Sequence, residues 1–223
     1  MDAVRASYDA VARRYAMEVS DELPDKYVDR ALYAAFAELV AAACARGLPV
    51  ADVGCGPGHV TAHLAALGLP VCGIDLSPGM VDVARRDNPG LAFEVGDLTA
   101  LPVPAGAWAG AVVSYSIIHL DAAGRRAAFA ELARAVVPLG WVLICFHVSR
   151  HDQEVGSHLR LERWWDHDVD LTINFLDPSQ VADELDGAGF TVMARTERAP
   201  WPLVEAPTRR ALLLAQRRGE AAG

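Results

Sequence analysis

Apolar residues recur along the chain with two different spacings, and the switches between them divide it into helices and strands. Val4, Tyr8, Val11 and Tyr15 stand three or four residues apart, as do Leu32, Phe36, Leu39 and Ala43. That spacing predicts two amphipathic helices ahead of the first strand. Short apolar runs follow at residues 50–54, 71–75, 91–95, 110–115 and 141–147, with helical patterns between them. Strands of this kind alternating with helices predict a parallel sheet covered by helices. Ser77-Pro78 and Asp177-Pro178 each place an N-cap residue before a proline suited to the first helical turn. Gly187 and Gly189 stop the second of these helices.

The alternation breaks near the end. Residues 190–194 and 210–215 both read as strands, and only a segment containing Pro200, Pro202 and Pro207 lies between them. Strands joined without a crossover pair antiparallel, so the sheet is expected to be mostly parallel with an antiparallel C-terminal hairpin at its edge. Residues 149–176 match neither neighbour. They hold Trp164, Trp165, several histidines and many charges, and read as an insertion over the functional edge of the sheet. The expected architecture is a single α/β domain, doubly wound, over residues 1–223. Its parts are an N-terminal helical lid (1–46), a core (47–148), the insertion (149–176) and a C-terminal helix and hairpin (177–217).

Composition narrows the function classes. With 52% hydrophobic residues in 223, the chain buries one full core. Its formal charge of -9 opposes the basic footprint that binding of nucleic acid requires. Arg209, Arg210, Arg217 and Arg218 form the one basic cluster and read as a solvated face and tail. The N-terminus lacks the charged-then-apolar pattern of a leader, and every apolar stretch is interrupted before the roughly 20 residues of a spanning helix. A cytoplasmic protein with no membrane or nucleic-acid partner is expected. Cys44, Cys55, Cys72 and Cys145 form no C-x-x-C pair and read as free, buried thiols.

The strongest local signal is the strand that ends in Asp52-Val53-Gly54-Cys55-Gly56-Pro57-Gly58 and runs into a helix. Glycines there let the backbone turn sharply and approach a ligand, while the following helix presents free N–H groups. A second acid, Asp75, ends the next strand 17 residues after Gly58, where a carboxylate can accept from both hydroxyls of a ribose. Such ligands bind outside the carboxyl ends of the strands. The nicotinamide fingerprint would need a glycine at position 59, but His59 stands there.

Together with Gly73-Ile74-Asp75-Leu76-Ser77-Pro78-Gly79-Met80, Glu94-Val95-Gly96-Asp97-Leu98 and Ser114-Tyr115-Ser116-Ile117-Ile118-His119, this turn makes the chain resemble the class I S-adenosylmethionine-dependent methyltransferases. The similarity is to their small-molecule branch, which includes ubiquinone/menaquinone-type and bacterial natural-product enzymes. The resemblance implies a Rossmann-like sheet of seven strands, S-adenosylmethionine as cofactor and a small-molecule acceptor. It implies that Gly54 and its neighbours lie against the methionine part, that Asp52, Gly56, Gly58 and Ser114 are also cofactor-binding, and that Asp75 binds the ribose. Leu76 and Met80 would flank the adenine, with Asp97 and the Leu98 N–H at its edge. Leu139 and Trp141 depart from the family pattern, Leu139 standing where a turn glycine is usual.

Methyl transfer from a sulfonium is an in-line displacement, so alignment and exclusion of water matter most. A base is needed only for a hydroxyl or a weakly acidic carbon. His119, just after the fourth strand, is the first candidate; its bland alternative is a histidine packing the next helix. His147, ending the fifth strand, is the second, and His151, His158 and His167 read as surface residues. Tyr15 is expected at the methionine carboxylate or the methyl channel, and Tyr8 in an apolar stripe. Trp164 and Trp165 are either packing or a platform for an aromatic acceptor. No carboxylate ends the fourth strand, so a metal-assisted mechanism is not expected. A module that binds the cofactor without catalysis is the alternative function.

Overall fold

The computed structural model describes residues 1–19, 22–43 and 47–219. In chain order the strands are β1 (Val50–Val53), β2 (Val71–Asp75), β3 (Ala92–Val95), β4 (Trp108–Ser114), β5 (Val136–Arg150), β6 (His158–Trp164), β7 (His167–Asn174), β8 (Phe190–Arg198) and β9 (Thr208–Arg217). The helices are α1 (Asp2–Val19), α2 (Tyr27–Ala42), α3 (His59–Ala66), α4 (Pro78–Asp87), α5 (Ala122–Ala135) and α6 (Pro178–Gly187). Seven strands form one sheet in the order β3-β2-β1-β4-β5-β9-β8. This is the expected doubly wound sheet, parallel from β3 through β5.

Successive strand residues point to opposite faces, and both faces are covered, which is why the central strands read as continuous apolar runs. On one face Ala51, Ala111, Val113 and Ile144 pack with Phe129 and Leu132 of α5 and Val181 and Leu185 of α6. On the other, Val50, Val112 and Leu143 pack with Phe36 and Val40 of α2 and Leu64 of α3. α2 is therefore a layer of the core that reaches the functional edge with Asp29 and Tyr33, while α1 lies over that edge.

The antiparallel C-terminal hairpin stands at the edge of the sheet, as expected, with β9 inside and β8 outermost. β9 pairs antiparallel with β5 on one side and with β8 on the other. The reason lies in the side chains: residues 210–215 of β9 are all buried, whereas β8 exposes Thr191, Met193, Ala194 and Arg195. The strand with the buried apolar stretch 211–215 takes the interior place and the half-exposed one the edge.

β5 is longer than its apolar run. Its pairing with β4 steps from Trp108↔Val136 to Gly110↔Trp141, so residues 137–140 bulge out. There Leu139 adopts φ 63 with its side chain in solvent, at the position where the sequence departs from the family pattern. At its other end β5 runs on through Arg150, paired with β9.

The remainder of the expected insertion is a separate antiparallel hairpin, β6 with β7. Val169 and Leu171 of this hairpin pack on Val11 of α1, making one layer of helix and hairpin. Cys55, Cys72 and Cys145 are free; Cys44 lies outside the described residues. Among the described residues no helix is long and apolar enough to cross a membrane.

Candidate active site

The carboxyl ends of β1 to β5 share one edge of the sheet, and a cavity of about 710 Å³ lies along it, roofed by α1 and the β6–β7 hairpin. The turn after β1 needs its glycines. Gly54 has φ 77, and a Cβ there would lie 1.7 Å from Ser116 Oγ. The N–H groups of Gly54 and Cys55 both donate to Ile74 O, at 2.7 and 3.0 Å, tying the turn to β2. Asp75 then holds the turn and the start of α4 together: Gly56 N donates to Oδ2 and Ser77 N to Oδ1, each at 2.8 Å. Burial raises the Asp75 pKa while these two bonds oppose the rise.

Asp52 is fully buried at the end of β1 and lines the cavity. Thr61 Oγ1 of α3 donates to its Oδ2 at 2.7 Å, but Oδ1 is buried without a partner. Burial pushes this carboxyl up to about 7. A buried carboxylate oxygen left without a donor is costly, and a cationic donor arriving from the cavity would satisfy it.

Along the sheet edge toward β3, Leu76, Met80, Gly96 and Leu98 complete the wall. Met80 N donates to the Ser77 hydroxyl, which caps α4. Asp9 of α1 accepts from the Ser77 hydroxyl at 2.5 Å and from Gly79 N at 2.8 Å, so α1 is pinned to the start of α4. Two residues assigned to the cofactor lie outside this wall. Gly58 caps α3 at φ 85, where a Cβ would meet the Phe93 ring at 2.9 Å; it is a packing glycine. Asp97 accepts at Oδ1 from Thr99 N and Thr99 Oγ1, at 2.8 and 2.7 Å, and so shapes the turn that presents Gly96 and Leu98.

Toward the centre, Tyr8, Tyr15, His119 and Trp164 line the cavity. The Tyr8 hydroxyl lies 2.7 Å from His119 Nε2, and His119 Nδ1 lies 2.9 Å from Thr172 O. A carbonyl only accepts, so Nδ1 carries the proton and Nε2 accepts from Tyr8. Burial lowers the His119 pKa against the opposing Thr172 bond. It raises the pKa of Tyr8 and of Tyr15, with Asp75 adding to both. Tyr15 and Trp164 meet edge to face at 5.6 Å, and Trp164 stacks on Trp165 at 4.9 Å. Tyr8 therefore belongs to the wall rather than to a plain packing stripe.

Toward β9, His147 bonds Thr208 Oγ1 through Nδ1 at 2.8 Å. Burial, reinforced by Arg210, pulls its pKa down to about 3, so it is neutral at physiological pH. Ser114 meets the Tyr33 hydroxyl at 2.9 Å beneath the cavity. Beyond them Glu205, whose side chain is wholly buried, gathers Trp201 N at 2.8 Å, Arg210 Nη1 at 2.9 Å, Lys26 Nζ at 3.4 Å and the Arg198 guanidinium. Arg198 also pairs with Asp29 at 2.7 Å. Sequence reasoning missed this network. Arg210, expected on a solvated face, is 3% exposed, while Arg209 and Arg218 pair with Glu197 and Asp186 and Arg217 bonds Val136 O. His151, His158 and His167 are exposed and outside the cavity. Among the described residues no group of His, Cys, Asp or Glu is placed to hold a metal ion.

The site and sheet define a doubly wound α/β fold with its ligand cavity at the carboxyl edge. Residues 50–140, which carry the glycine turn, Asp75 and His119, match the family described as a methyltransferase domain. No curated protein matches the chain. Among solved structures, the chain resembles a SAM-dependent methyltransferase from Methanosarcina mazei with TM-score 0.67 and 16% identity over 78% of this chain and 93% of that one. It resembles a protein of Pyrococcus horikoshii with TM-score 0.66 and 20% identity over 92% and 97%. It also resembles the glycopeptide N-methyltransferase MtfA, solved with S-adenosyl-L-methionine, with TM-score 0.60 and 20% identity over 82% and 92%.

Proposed function

We propose that this protein is an enzyme that transfers a methyl group from S-adenosylmethionine to O, N, S or C of a small metabolite. The observation that carries the reading is the pair of carboxylates on adjacent strand ends, Asp52 buried with an unpartnered oxygen and Asp75 half-buried across the glycine turn. Asp52 Oδ1 accepts the α-ammonium of the methionine part, and Gly54 and Gly56 let the backbone approach its chain. Asp75 receives the ribose hydroxyls. Leu76 and Met80 flank the adenine, Leu98 N–H meets its edge, and Asp97 holds that turn in place. Ser114, with Tyr33, forms the floor.

The bound cofactor supplies an electrophilic methyl group; the protein's work is to align the acceptor and exclude water. Tyr15 and Trp164 close the aromatic side of the cavity, and His119 is the acid–base group. His147 is too weak a base at its depressed pKa and orients the acceptor through its neutral ring. A volume of about 710 Å³ falls in the range of small-ligand sites, and the aromatic wall suits a partly aromatic natural product. A biosynthetic role is part of this reading. The absence of a membrane-crossing helix among the described residues agrees with work in the cytoplasm.

Calorimetric titration with S-adenosylmethionine, S-adenosylhomocysteine and NADH tests the reading, on wild type, Asp75→Ala and Asp52→Asn. Micromolar binding of the first two ligands, weakened by each substitution, is expected. Binding of NADH alone, or of none of the three, overturns it.

A further inference from the structure

Tyr8 and His119 stand 111 residues apart in the chain and meet in the wall of one cavity. Both nitrogens of the imidazole are held, and so is the backbone on either side of His119. Thr172 O of β7 accepts from Nδ1–H, Asn174 Nδ2 of the same strand donates to Ile118 O at 2.7 Å and Leu120 O at 3.3 Å, and Tyr8 of α1 occupies Nε2. α1 is itself fastened to the hairpin, since Asp170 N donates to Ser7 Oγ at 2.8 Å. Two elements outside the strand that leads to His119 thus fix both its ring and its tautomer. A histidine that merely packed a helix would need neither.

We propose that Tyr8 and His119 form a proton relay, and that the methyl acceptor is accordingly a neutral hydroxyl, with Tyr8 touching it and His119 receiving its proton. This rests on the methyl-transfer reading above. The Tyr8 hydroxyl gives its hydrogen to Nε2 and keeps its oxygen lone pairs for a donor in the cavity. In the transfer, the acceptor oxygen bonds the methyl carbon as the carbon–sulfur bond breaks, and the electron pair of that bond stays on sulfur. The acceptor proton passes to the Tyr8 oxygen, and the Tyr8 proton passes to His119 Nε2. Sulfur loses its positive charge as the imidazole gains one, so the cavity's net charge is unchanged; this matters where the dielectric is low. The Nδ1–H bond to Thr172 O supports the imidazolium. Of the other groups that titrate around the pair, Tyr15 and His147 are neutral at physiological pH, and Asp75 raises the pKa of the Tyr8 hydroxyl. A neutral amine could attack without a base, and the relay would serve it no purpose.

The test has two arms, on wild type, Tyr8→Phe and His119→Gln. In the ligand-free protein, nitrogen-15 resonances of labelled histidine should place the His119 proton on Nδ1 between about pH 6 and 9. Tyr8→Phe should move the Nε2 resonance, leave Nδ1 bonded and raise the imidazole pKa. A proton found on Nε2, or an Nε2 resonance indifferent to Tyr8→Phe, overturns the relay. In the second arm, phenol and aniline are offered with S-adenosylmethionine. Methylation of phenol should fall about 100-fold or more in both variants, while S-adenosylhomocysteine still binds. Methylation of aniline alone, or of phenol at an undiminished rate in both variants, overturns the proposal; with neither methylated, the resonance arm decides. Failure of wild type to bind S-adenosylhomocysteine sinks the methyl-transfer reading instead, and the ligand-free resonances still report on the pair.

Discussion

The Thr61 hydroxyl donates to one oxygen of the buried Asp52 carboxylate at 2.7 Å, and the other oxygen has no donor. The folded protein therefore holds the Asp52 proton more tightly than the unfolded chain does, with the pKa raised from 3.8 to about 7. The stability this proton confers is fully present below the unfolded value and is lost as pH rises through the folded one. Asp52→Asn removes that loss and keeps an acceptor for Thr61. Thermal melts at pH 8 should show the variant more stable than wild type, each ~1 kcal/mol appearing as about 2–4 °C. Calorimetry should show it weaker for S-adenosylhomocysteine. A lower Tm at pH 8 would mean the carboxylate is already satisfied in the free protein.

Gly54→Ala combines a left-handed backbone at φ 77 with a clash at 1.7 Å against Ser116 Oγ. Strain of about 1–2 kcal/mol adds to overpacking of about 1–3 kcal/mol. Urea denaturation should show both. Adding Ser116→Gly should recover the overpacking part and leave the backbone part, so full recovery by the double variant would show that strain is absent.

Leu139 occupies the left-handed region at φ 63 and is 53% exposed. Leu139→Gly relieves about 1–2 kcal/mol of strain against an entropic cost of about 0.5–1 kcal/mol, with little packing to lose. A rise in Tm of up to about 4 °C is expected. A fall would show that the exposed side chain contributes more than its contacts suggest.

His147 titrates near 3 in the folded protein against 6.5 unfolded. Its contribution to stability is present above 6.5 and is lost as pH falls toward the folded value, opposite in sign to that of Asp52 over an overlapping range. His147→Gln should flatten the decline of denaturant-derived stability between about pH 6 and 4. An unchanged slope would place the acid-sensitive group elsewhere.

The parallel strands and the cofactor turn were legible because each is specified locally. A buried strand reads as an apolar run, and the glycine turn and its two acids lie within 24 residues of one another. The β6–β7 hairpin carried a fainter signal: Leu159 and Leu161, then Val169, Leu171 and Ile173, alternate with polar residues as half-buried strands do, but histidines, tryptophans and charges obscured it. That β9 lies inside and β8 at the edge was also readable, since only residues 211–215 form an unbroken apolar run suited to the interior. Nothing local could pair Tyr8 with His119 or bring Lys26, Asp29 and Arg198 to Glu205. Those contacts join segments distant in sequence, and charges within a proline-rich stretch look like surface until the fold closes over them.

Because β9 reverses the direction of β8, the loop joining them emerges at the same edge as the glycine turn. A parallel continuation would have delivered that loop to the far side of the sheet. Leu203, wholly exposed yet part of the cavity lining, marks its rim, with Glu205 and Arg210 deeper in. The mouth of the site is thus built by a segment made well after the cofactor turn. A nascent chain that had already shaped its cofactor turn would still lack one side of its acceptor chamber until β9 added itself between β5 and β8.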